Sequence, residues 1–97
     1  MGYDISAWPS DPRGKVNLKP HEVCTKPRSR DVRRVLSALD AEDLYRPISG
    51  PCEYREYTGS AIQEAARRLR DDGYSDDHVL GFLDHVGTWE SPWLYFW

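Results

Sequence analysis

Trp93-Leu94-Tyr95-Phe96-Trp97 decides how this chain folds. Five consecutive large apolar side chains are costly to leave in water, since each is worth roughly 1.5–3 kcal/mol on burial. The stretch is therefore either a core strand or a surface for another molecule. Strand alternation puts Trp93, Tyr95 and Trp97 on one face and Leu94 and Phe96 on the other. A strand apolar on both sides belongs in the middle of a sheet, or where a second chain covers the outer face. Trp89, Trp93 and Trp97 also follow helical spacing, but Pro92 and the short length oppose a helix. The expectation is a core strand with one face open to sharing.

Working back from it, Ser75 reads as the cap of a helix with Asp76 and Asp77 in its first turn. Val79, Leu80, Phe82, Leu83 and Val86 form its buried side, and Gly87 ends it. A preceding helix carries Ile62, Ala65, Ala66 and Leu69 on one face. Ser60 with Gln63 fits a capping box at its start, and Gly73 the C-cap at its end. Residues 52–57 suit a short strand. A helix over about 30–39 is predicted from Val32, Val35, Leu36 and Leu39, with Ser29 as N-cap. Tyr3, Ile5 and Ala7 alternate in a first strand that Pro9 stops. Residues 9–28 hold four prolines and a glycine, and predict a long Pro-rich basic loop. The predicted fold is a single α+β domain over 1–97. It has a small, mostly antiparallel sheet of about three strands and about three helices packed on one face.

The 97 residues suffice for one core, and 12% aromatic content opposes disorder despite a mean hydropathy of −0.73. No apolar run approaches the roughly 18–20 residues of a membrane span. Met1-Gly2-Tyr3-Asp4 carries no basic-then-apolar leader pattern, so the expected compartment is the cytoplasm, with no membrane partner. Ten Arg against three Lys suit a GC-rich coding genome, such as that of an actinobacterium or its phages.

The net charge of −3 hides a split. Residues 13–34 carry eight basic side chains against two acids, while residues 50–97 carry four Arg against nine acids. Clustered Arg on a helix face can track a phosphate backbone, which makes nucleic-acid binding by residues 13–34 an alternative reading. The aromatics that single-strand binding interleaves are absent between Trp8 and Tyr45, and the acidic half repels a polyanion.

Catalytic and metal signatures are weak. His21-x-x-Cys24 has half of a zinc-site spacing, but Cys52 stands alone and His78 and His85 are seven apart. Cys52 with His21, His78 or His85 gives a thiol-enzyme alternative, opposed by the neighbouring Glu53. In a reducing compartment Cys24 and Cys52 are expected to be free thiols; the alternative is a single disulfide between them. No catalytic residue, cofactor or metal is assigned.

Ala65–Leu83, with its Gly73-Tyr74 link, resembles the first two helices of a ubiquitin-associated-type domain. In that family the Gly-aromatic loop contacts the partner. Asp72 replaces the usual Met, and residues 87–92 replace the third helix. The same stretch also resembles the opening of a helix-turn-helix, whose recognition helix would fall on the Pro-containing, non-basic residues 91–97. Taken together, the chain is expected to be a non-enzymatic protein-binding domain, monomer or homodimer, acting as an accessory adaptor or a phage-type inhibitor of a host complex. The expected contact residues are Arg28, Arg30, Arg33, Arg34, Trp89 and Trp93, Trp and Arg being the types enriched in binding hot spots.

Overall fold

A computed structural model describes residues 4–13, 23–45 and 53–97. Its sheet has four antiparallel strands, β1 (Ile5–Trp8), β2 (Val23–Thr25), β3 (Glu53–Glu56) and β4 (Trp93–Phe96), in the order β2-β1-β4-β3. The aromatic stretch is thus a central strand, paired through Ala7↔Leu94 on one side and Arg55↔Leu94 on the other. Backbone bonds between Asp4 and Trp97, 3.0 Å each way, extend the ladder past β4. The fourth strand corrects the expected three. β2 lies inside the predicted 9–28 loop, where three residues are too few to show an alternation and only pairing with β1 defines a strand.

The three α-helices among the described residues are α1 (Val32–Ala38), entered through a 3-10 turn at Ser29–Asp31, α2 (Gly59–Asp71) and α3 (Asp77–Val86). Ile5, Ala7, Leu94 and Phe96 project from one sheet face into a core shared with Val35, Leu36, Ile62, Ala65, Leu69, Val79, Leu83 and Val86. Phe96 and Leu94 are fully buried. The next element after α3 is a strand, so the ubiquitin-associated-type resemblance ends at the helical hairpin and no recognition helix exists at 93–96.

The caps differ from those predicted. Thr58, not Ser60, caps α2 by accepting from Ala61 N at 3.1 Å. Gln63 instead donates Nε2 to Gly87 O at 2.7 Å, tying α2 to the end of α3. Asp76, not Ser75, caps α3, and Ser29 lies within the 3-10 turn rather than capping α1. In each case the candidate was a small polar residue within two positions of the observed cap, a spacing that propensity does not resolve. The Gly73 stop holds: at φ +84° it closes a Schellman motif, with Tyr74 N bonded to Leu69 O and Gly73 N to Arg70 O. α1 ends in the same way, with Asp40 at φ 53° in the position where Gly is usual.

Gly59 is a contact between layers. Its N–H reaches Glu90 O at 3.2 Å, and a Cβ there would overlap the Trp89 carbonyl oxygen and lie 2.7 Å from Gly87 O. Ala has no room against backbone, so Gly59→Ala is expected to destabilise by about 3 kcal/mol. Phe96→Ala is expected to cost about 3–5 kcal/mol. Trp97→Ala, on the opposite face and 48% exposed, is expected to cost about 1 kcal/mol or less. Urea denaturation of the three variants checks this ranking.

Candidate functional sites

The face of the sheet turned away from the core is aromatic. Cross-strand pairing aligns Ser6, Tyr95 and Tyr54 in one row and Trp8, Trp93 and Glu56 in the next, with Cys24 beside Ser6 at the β2 edge. The rings form a connected set: Tyr54 to Tyr95 at 4.4 Å between centroids, Tyr95 to Trp97 at 5.9 Å, and Trp8 to Tyr54 at 6.1 Å. Planes tilted by 39–47° leave a corrugated surface. Trp97 donates Nε1 to Ser6 Oγ at 3.3 Å, which fixes its ring. Arg13 lies 4.4 Å over the Trp93 ring and is held by Asp11. Trp8 is buried and its Nε1 has no hydrogen-bond partner among the described residues, whereas Tyr54 (38%) and Trp97 stand exposed. The helices pack on the other side.

The second site lies at the far layer, where the 3-10 turn and α1 meet the α2–α3 link. Arg28, Arg30, Asp31 and Arg34 form one wall of a cleft of about 340 Å³, and Gly73–Asp77 form the other. Arg34 donates to Asp72 O at 2.6 Å and sits 5.5 Å over the Tyr74 ring. Tyr74 is 6% exposed and its hydroxyl has no hydrogen-bond partner among the described residues. Burial pushes this phenol up to about 12; Asp76 and Asp31 add to the shift, while Arg34 and Arg28 oppose it.

The expected contact residues therefore fall in separate places. Arg28, Arg30 and Arg34 converge on the cleft, but Arg33 points elsewhere, 3.4 Å from Glu42 and 5.7 Å from the Tyr45 ring. Trp93 belongs to the aromatic face. Trp89 is partly buried against the core, with its ring edge-on to His85 at 5.3 Å. Sequence reasoning placed Tyr95 and Trp97 on the face of Trp93 but missed Trp8, Tyr54 and Arg13. These three come from other parts of the chain, and the register that brings Trp8 and Tyr54 beside β4 was not visible in the sequence.

Among the described residues no group of three or more His, Cys, Asp or Glu side chains is placed to hold a metal ion. Cys24 is exposed, while His21 and Cys52 lie outside the described residues, as does any pairing of the two cysteines. No helix among the described residues is long and apolar enough to cross a membrane. No protein-family model, curated protein or solved structure matches this chain.

Part of the acidic half is paired within the helical layer. Arg67 pairs with Glu64 and Asp71, Arg68 with Glu64, and Arg70 reaches from α2 to Asp84 on α3 through two bonds of 3.0 and 2.7 Å. Hydrogen bonding from Arg70 holds the Asp84 carboxyl below its ordinary 3.8. A carboxylate depressed in the folded state stabilises above its unfolded value and ceases to do so as pH falls through the folded one. Wild type is therefore expected to exceed Asp84→Asn at neutral pH by less than about 1 kcal/mol, because the pair is exposed. Thermal melts should show that difference closing below about pH 3.8.

Proposed function

We propose that this chain is a non-enzymatic protein-binding domain and that the aromatic sheet face is its contact surface. The observation that carries the reading is the connected run Trp8, Tyr54, Tyr95 and Trp97, with Arg13 stacked on Trp93, on the face opposite the core. Tyr and Trp offer large contact area at low entropic cost, and strands hold them more firmly than loops do. Trp, Tyr and Arg are also the residues on which binding energy concentrates. An adaptor or inhibitor that works by occupying another protein's surface needs no more chemistry than this.

Nucleic acid fits less well. The face carries Glu56 beside Trp93, and the Arg cleft carries Asp31, Asp76 and Asp77, so neither surface is a continuous cationic track. Affinity capture from cell lysate, read by mass spectrometry, tests the proposal. The wild-type chain should retain at least one protein that Tyr54→Ser/Trp97→Ser loses by more than about tenfold, with Arg33→Ala unaffected. Equal retention by the folded sheet-face variant and wild type would contradict the assignment of the surface.

A further inference from the structure

We propose that the cleft between the 3-10 turn and the α2–α3 link binds a single anionic oxygen group, a carboxylate or a phosphate monoester. This site is distinct from the aromatic face. Its unused hydrogen-bonding capacity is mostly donor capacity. Arg28 and Arg30 line the cleft and make no side-chain hydrogen bond or ion pair among the described residues. The Tyr74 hydroxyl is buried without a partner among the described residues, and an orphaned polar group costs roughly 1–3 kcal/mol. It retains its proton at neutral pH and so can donate. Ser75 adds a hydroxyl on the same wall. A ligand that satisfies this set must be rich in acceptors and small, since about 340 Å³ is near the lower limit for ligand pockets.

The carboxylates define the limits of the site. Asp76 is occupied as the α3 cap, accepting from His78 N at 3.0 Å and Val79 N at 3.5 Å. Those amides are consequently spent, and the guanidinium and phenol groups, not the helix N-terminus, would hold the anion. Asp31 and Asp77 remain on the walls and repel a polyanion, while one charge between Arg28, Arg30 and Tyr74 can be matched by the cations. The site therefore suits a lone acidic group rather than a nucleic-acid backbone.

NMR titration of the ¹⁵N-labelled chain tests this, with inorganic phosphate in one arm, acetate in a second and chloride at matched ionic strength as control. The expected result is saturating shifts of the Gly73–Asp77 amides with phosphate or acetate but not chloride. The tighter arm identifies the group as phosphate or carboxylate. Arg28→Ala/Arg30→Ala should weaken binding by about tenfold or more, since hydrogen bonds to charged groups are the strong ones. Tyr74→Phe, which keeps the ring and removes the orphaned hydroxyl, should fold and weaken binding several-fold. Shifts absent in both arms, matched by chloride, or unchanged in the arginine double variant would overturn the proposal.

Discussion

Two properties of β4 hold the domain together: it is hydrogen-bonded on both edges, and it carries apolar side chains on both faces. Pairing with β1 and β3 satisfies its backbone on both sides, leaving β2 and β3 as the edges. On one face Leu94 and Phe96 supply the floor on which all three helices pack. On the other, Trp93, Tyr95 and Trp97 gather Trp8 and Tyr54 into a single aromatic surface. The same five residues therefore form both the core and the proposed contact face, because strand geometry divides them by parity.

The helical layer is positioned by short polar devices rather than by propensity alone. Schellman stops at Asp40 and Gly73 turn the chain sharply enough for α1 and α3 to flank α2. Tyr57 donates its hydroxyl to Leu39 O at 2.7 Å, and Arg55 grips Asp43 through two bonds, fastening the β3 edge to the end of α1 and to the 3-10 turn Glu42–Leu44 that follows it. Burial holds the Tyr57 phenol well above its ordinary range, so this bond persists through neutral pH. Gly59 lets the start of α2 lie against the 87–90 backbone that leads into β4.

Much of this was legible in the sequence. The periodicities of 62–69 and 79–86 located α2 and α3, and the continuous apolar run at 93–97 implied a central strand. β2 was not legible, because Val23-Cys24-Thr25 becomes a strand only by pairing with Ser6 and its neighbours. The candidate site was half legible. Arg28, Arg30 and Arg34 are close in sequence and meet at one cleft, yet Arg33 turns away because successive helical residues point about 100° apart. The opposite wall, Gly73–Asp77, comes from some 40 residues downstream through packing of α1 on α2. The aromatic face needed the register of three strands, which no local window contains.

Native-state amide hydrogen exchange tests the central placement of β4 most directly. The amides of Leu94, Tyr95 and Phe96 should exchange only with global unfolding, as slowly as those of Ile5–Ala7 and far more slowly than the β2 edge. Exchange of residues 93–96 at loop rates would contradict that placement and make the aromatic stretch a loosely held segment, with neither the core nor the sheet face described here.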